Sequence, residues 1–268
     1  MPSATGSWLP LSLPRRFIAD LVHFAHRVPS VPVERRMRLG ALRQARLAAA
    51  CRPSWCAIFL KAYGIVAALN PVLRRSLVAW PWPRLYQHDT NVASVAIERT
   101  YRGEPAVFFG HIRGPENQTL DEIDAALHRY KSEPIESFGL FRRVLQISRY
   151  PLPLRRFLWW LTLNWTGAAR ARRLGTFGVS VYSGLGAASL HPISPLTTTL
   201  NYGVIDANGR VAVRLIYDHR VMDGAEVARA LALLEDVLLG PILDELHTRQ
   251  RSAELIAHEA IQPLHEAT

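Results

Sequence analysis

Apolar residues recur at helical spacing soon after the start of the chain: Phe17, Ile18, Leu21, Val22, Phe24 and Ala25 mark one face of a helix over residues 14–27. Pro14 falls in the first turn, where its missing N–H breaks no hydrogen bond. Residues 28–33 alternate apolar side chains with prolines and predict a short edge strand. A basic, alanine-rich helix is expected over 38–50. A strongly apolar helix over 54–69 is stopped by Asn70-Pro71. Two strand-like segments, 91–99 and 105–112, flank a turn at Tyr101-Arg102-Gly103. Helix signals return over 119–131, where Thr119 and Glu122 have the spacing of a capping box. Strands are expected at 176–182, 197–205 and 211–217, the last two joined through Asp206-Ala207-Asn208-Gly209. An amphipathic helix over 224–246 follows, and 249–268 reads as a short helix or tail. There is no internal repeat and no low-complexity linker. The pattern predicts one domain of mixed α and β structure over 11–248, after an irregular lead-in at 1–10.

The stretch 137–174 differs from the rest. It holds eight arginines, no acidic residue, and the aromatics Phe138, Phe141, Phe157, Trp159, Trp160 and Trp165. Pro151 and Pro153 divide it into two expected helices.

Composition narrows the picture. The chain has 268 residues, 49% of them hydrophobic, enough for a sizeable core. Its net charge of +10 raises nucleic-acid binding, but that reading rests on charge alone, without a recognition helix or an aromatic RNA-binding motif. Only Lys61 and Lys131 are lysines, and the arginines are widely spread outside 137–174. Cys51 and Cys56 match no zinc spacing, no metal site is expected, and Cys56 reads as a buried thiol. Without a signal-peptide pattern or an apolar run of bilayer length, a cytoplasmic protein is the expectation.

Candidate chemistry lies at Asp218-His219-Arg220-Val221-Met222-Asp223-Gly224, where a predicted strand runs into a short loop and then a helix. A histidine at a strand end is placed to face a cleft, and its ordinary pKa suits proton transfer near neutrality. The competing reading makes Asp223 an N-cap and His219 a half-buried strand residue.

The motif resembles the H-x-x-x-D-G signature of chloramphenicol acetyltransferases and of the catalytic domains of dihydrolipoyl acyltransferases, the core enzymes of 2-oxoacid dehydrogenase complexes. Three further stretches are similar, in the same order. They are residues 11–19 around Pro14-Arg15-Arg16-Phe17, residues 57–62 followed by Asn70-Pro71-Val72-Leu73, and Gly175-Thr176-Phe177-Gly178-Val179-Ser180. The resemblance spans about 11 to 246 and implies a mixed sheet flanked by helices, interrupted here by the insertion at 137–174. It implies that His219 is the general base, that Ser180 donates a hydrogen bond to the tetrahedral oxyanion, and that Asp223 pairs with Arg15 to hold the histidine loop. Ser183 and Thr176 are the alternatives for the oxyanion role. His191 is read as a pocket residue or, with more weight, as a loop histidine. The family also implies a homotrimer with active sites between subunits, His219 of one facing Ser180 of the next.

The expected activity is transfer of an acyl group from coenzyme A, or from an acyl carrier protein, to a hydroxyl or amine, without a covalent enzyme intermediate. The alternative is a bare catalytic or structural core of a dehydrogenase-type assembly. Relatives in such complexes carry lipoyl and subunit-binding domains ahead of the catalytic one. Here the resemblance begins near residue 11, and both lysines fall in predicted helices, so a free-standing enzyme is expected. Three readings stand for 137–174. It is a helix lying at a membrane surface, a basic cap for an acidic carrier or for CoA phosphates, or a helical pair packed on its own domain.

Overall fold

The computed structural model describes residues 6–261, with side chains described to 251; the remainder of the expected lead-in and tail lies outside these residues. In chain order the elements are α1 (Leu13–Ala25), β1 (Ser30–Arg38), α2 (Gly40–Ala48), α3 (Trp55–Leu69), β2 (Arg75–Val78), β3 (Arg84–Gln87), β4 (Val92–Tyr101), β5 (Glu104–Arg113) and α4 (Leu120–Ser132). Then come α5 (Gly139–Ile147), α6 (Leu152–Asn164), α7 (Gly167–Leu174), β6 (Phe177–Val179), β7 (Thr198–Tyr202), β8 (Arg210–Asp218), α8 (Gly224–Leu239) and α9 (Pro241–Ile261).

Six strands form one mixed sheet in the order β1-β8-β7-β6-β4-β5, while β2 and β3 pair separately. β6 runs parallel to both its neighbours, and the remaining pairs are antiparallel. The expected mixed sheet flanked by helices is therefore the observed one. Strand periodicity assigns β4 to two layers. Ala93, Val95 and Ile97 enter a main core with Ile58, Phe59 and Tyr63 of α3 and Leu231 and Leu234 of α8. Ser94, Ala96 and Glu98 point to the opposite face. There α1, α5 and α6 form a second core, in which Phe17, Phe24, Phe141 and Trp159 pack with Ala106 and Phe108 of β5.

Local rules explain most element ends. Ser54 caps α3 by accepting from the Ala57 N–H at 3.1 Å, and the Thr119–Glu122 capping box forms as expected. Several expected boundaries are corrected. The edge strand continues to Arg38, because β1 pairs along the whole length of β8. The segment 137–174 forms three helices, the third opened by Thr166, whose hydroxyl accepts from the Ala169 N–H at 3.1 Å. The strand expected over 176–182 is ordered as strand only at Phe177–Val179. The closing helix breaks at Gly240-Pro241, and α9 runs past residue 249 without interruption. Gly209 turns the β7–β8 hairpin at φ 74°, a left-handed conformation that favours glycine.

The insertion is packed on its own domain. Arg155 of α6 forms a buried pair with Asp20 of α1 at 2.8 Å, and Arg170 of α7 donates to the Leu77 and Pro195 carbonyls, both at 2.7 Å. These arginines are structural and not solvated. Burial pushes the Arg170 guanidinium down to about 10, so it stays charged at neutral pH.

Candidate active site

His219 follows the last residue of β8, as the strand pattern predicts. Its backbone N–H donates to the Pro29 carbonyl at 3.1 Å, and its ring lies 5.4 Å from that of Tyr217. The imidazole is half exposed. The loop beneath it is held by its two neighbours in sequence. Asp218 is 1% exposed. Its carboxylate accepts from Arg220 Nε at 2.9 Å, from Arg220 Nη2 at 2.8 Å and from the Arg220 backbone N–H at 3.0 Å. Arg220 also donates to the Arg27 carbonyl at 3.3 Å, tying the loop to the end of α1. A bidentate, charge-assisted pair of this kind fixes geometry strongly.

Asp223 behaves differently from the expectation. Its side chain is 82% exposed, and its Oδ1 lies 3.6 Å from His219 Nδ1, beyond hydrogen-bond range. Its backbone N–H donates to the Glu226 carboxylate at 3.2 Å, which opens α8. Among the described residues no ion pair joins Asp223 to Arg15. Within one chain the loop is held by Asp218 and Arg220 instead. Sequence reasoning quoted both residues without assigning that role. A carboxylate leading directly into the histidine, with an arginine two positions on, was the available signal.

Arg15 lies elsewhere. It lines a cavity of about 470 Å³ between α1 and the sheet, together with Ser94, Glu98 and Ser180. Ser180 follows β6, its N–H donating to the Leu200 carbonyl at 3.2 Å and its own carbonyl accepting from Asn201 Nδ2 at 2.5 Å. Both backbone groups are thereby engaged, while the side chain borders the cavity. Of the two alternatives, Thr176 is 1% exposed; its hydroxyl accepts from the Val92 N–H at 2.9 Å and donates to the Val92 carbonyl at 3.2 Å. Ser183 opens a short helical turn at Ser183–Leu185. His191 is a loop residue whose Nε2 lies 2.8 Å from Ser30 Oγ.

The strand register separates His219 from Ser180. Val179 pairs with Leu200, which places Ser180 level with Asn201, and Asn201 pairs with Arg214. His219 stands five residues beyond Arg214 along β8, roughly 16 Å at about 3.3 Å per residue, and two strand spacings across the sheet. His219 stands at the end of β8, whereas Ser180 lies level with its middle, so one chain holds the two side chains well apart. Among the described residues no group of side chains is arranged to hold a metal ion.

Comparison with known proteins places the fold. The chain is similar to Azotobacter vinelandii dihydrolipoamide acetyltransferase (TM-score 0.64, 19% identity, covering 91% of this chain and 95% of that one). It is also similar to a probable dihydrolipoamide acetyltransferase from Listeria monocytogenes (TM-score 0.61, 17% identity, 88% and 95% covered). A third similar structure is a truncated catalytic core of the 2-oxoacid dehydrogenase multienzyme complex from Thermoplasma acidophilum (TM-score 0.61, 15% identity, 88% and 99% covered). The fold is that of these catalytic cores, as the sequence motifs imply. No family model matches the chain, and no curated protein matches it.

Proposed function

We propose that the protein is an acyltransferase, active as a homotrimer, that moves an acyl group from a coenzyme A or carrier-protein thioester to a hydroxyl or amine. The observation that carries this reading is the separation of His219 from Ser180 within one chain, five residues along β8 and two strands across, in a fold shared with acetyltransferase cores. A site assembled between copies needs its base and its oxyanion donor on separate faces. In the Azotobacter vinelandii enzyme a serine, a histidine and an asparagine have roles in the catalytic mechanism, the last two four positions apart. Here Ser180, His219 and Asp223 have the same order, and Asp223 replaces the asparagine four positions after His219.

In the proposed reaction the acceptor O–H or N–H approaches the imidazole of His219. The imidazole takes the proton as the acceptor attacks the thioester carbonyl. Ser180 Oγ of the adjacent subunit donates to the oxyanion of the tetrahedral intermediate. Collapse breaks the C–S bond, and the imidazolium returns its proton to the departing thiolate. No cofactor is bound covalently; the thioester is a co-substrate. Arg15, across the cavity from Ser180, supplies positive charge for an anionic part of a substrate or for a carboxylate of the adjacent subunit, with Asp223 the proposed partner.

Both lysines lie on helices of this domain. Lys61 lies on α3 and pairs with Glu245 at 2.5 Å, and Lys131 lies on α4, so neither is the hairpin-tip lysine that a lipoyl arm requires. The second reading, a core subunit of a larger assembly, draws on the Thermoplasma acidophilum core described above. Sedimentation distinguishes the two: a mass of three chains favours the enzyme, and a multiple of it favours the core.

Peripheral membrane contact is proposed for one face. Trp82 of the β2–β3 connection is 66% exposed, and Phe157 and Trp165 of the insertion are 55% and 54% exposed. Trp80 stacks on Trp165 at 5.6 Å, joining the two segments into one aromatic patch. Among the described residues no helix is long and apolar enough to cross a membrane. The function is tested by thiol release from acyl-CoA with panels of alcohols and amines; a His219→Ala protein as active as the wild type would sink the mechanism.

A further inference from the structure

The helices α5, α6 and α7 roof a second, largely apolar space that adjoins the Ser180 cavity. It measures about 80 Å³ and is walled by Leu140, Val144 and Ile147 of α5, Leu158 and Trp159 of α6, and Leu174 of α7. Leu21, Ser94, Phe109, Ser194 and Leu196 border both spaces, so the two are adjacent and share one wall. The wall is rigid. Trp159 is 5% exposed and packs on Phe17 at 5.2 Å and on Phe24 at 5.9 Å. The buried Arg155–Asp20 pair fastens α6 to α1 beside it.

From this adjacency we propose that the pocket under α5–α7 takes the unbranched alkyl chain of a medium-chain substrate, which passes the shared wall to place its reacting end in the Ser180 cavity. The identity of that reacting end rests on the acyl-transfer reading; the pocket itself does not. The space is lined mostly by aliphatic and aromatic side chains, with Thr162 and Arg173 bonded to each other at its edge, and such a lining favours apolar occupants. If about 10–15 Å³ holds one water-sized group, the pocket takes on the order of five to eight methylene-sized groups. Its far end sets the limit. His111, Leu140 and Arg143 also border a basic cavity that contains Arg113, Arg142 and Arg172. His111 Nε2 is buried there without a hydrogen-bond partner. A chain pushed further would meet that imidazole and the guanidinium groups, so the benefit of each added methylene ends there.

The alkyl chain could belong to the acyl donor or to the acceptor, and calorimetric titration separates these sources. One series is acetyl- to dodecanoyl-CoA; the other is ethanol to dodecanol. In the series whose chain enters the pocket, affinity should rise with length, by up to about fourfold per buried methylene, and level off near eight carbons. Leu140→Trp and Ile147→Trp, both half-buried positions that tolerate bulk better than the core, should reduce the gain from two to eight carbons to less than threefold. They should leave binding of the shortest member unchanged, with the thermal midpoint confirming the fold. His219→Ala should keep the whole length dependence while losing turnover. Length dependence without any acyl transfer would leave the pocket standing and remove the enzyme reading. Acyl transfer with no length dependence in either series, or the same dependence in both tryptophan variants, would overturn the pocket.

Discussion

At the scale of single residues, the candidate base is an exposed imidazole on a loop made stiff by its neighbours. His219→Ala is expected to lower turnover by about 10²–10⁴-fold, the usual range for a general base. Ser180→Ala is expected to cost about 10²–10³-fold as a lost oxyanion donor. Both are read as kcat in an acyl-CoA assay, with thermal midpoints unchanged. Two other histidines bear on stability. Burial, aided by Arg113, pushes His111 down to about 4, and burial, aided by Arg170, does the same to His88. Both stay neutral in the folded chain at pH values where an unfolded histidine, near 6.5, takes up a proton. Their contribution is complete above pH 6.5 and declines as pH falls toward 4. Thermal midpoints should drop across that window, and His111→Gln should flatten part of the slope. An equally steep fall in that variant would count against the assignment.

Among elements, α6 is fastened to α1 by a buried charge pair as well as by the packing of Trp159 on Phe17 and Phe24. Asp20 is 1% exposed, and its first partner is Arg155, with Arg156 Nε further off at 3.8 Å. Removing Arg155 leaves a buried carboxylate largely uncompensated. Arg155→Ala should therefore destabilise the fold by about 3 kcal/mol. Replacing both partners with apolar residues, as in Asp20→Leu with Arg155→Met, should recover most of that loss. Urea unfolding measures both; a double variant no better than the single one would mean that the pair does more than satisfy its own charges. The arginine content of this segment was legible in the sequence, but the partner was not. Asp20 lies 135 positions away on another helix, and no local pattern connects the two.

For the whole molecule, the decisive question is whether the site is shared between copies. Mixing His219→Ala and Ser180→Ala proteins after dissociation and reassembly tests it directly. Random trimers place an intact serine opposite an intact histidine at about one quarter of the interfaces, so about a quarter of wild-type activity should return. No recovery would place the reaction within one chain. The aromatic patch makes a separate prediction. Flotation with anionic liposomes should weaken clearly in a Trp80→Ser, Trp82→Ser variant, and unchanged flotation would end the proposal of membrane contact.

The fold and the histidine loop were readable from local pattern because local physics governs them. Alternating β4 and β8 residues, the capping signals at Ser54 and Thr119, and a histidine after a strand all follow from neighbours in the chain. The motif order added the expectation of a mixed sheet, and the fold agrees with it. That Asp218 and Arg220 hold the loop within one chain was signalled by their position beside the histidine, but only their burial shows that this carboxylate needs a partner. Burial is a property of packed elements. The separation of His219 from Ser180 and the apolar space beneath the insertion likewise arise only when distant segments are brought together. His219, where the chemical reading began, is placed locally by its strand, but the group it is proposed to face lies on a distant segment.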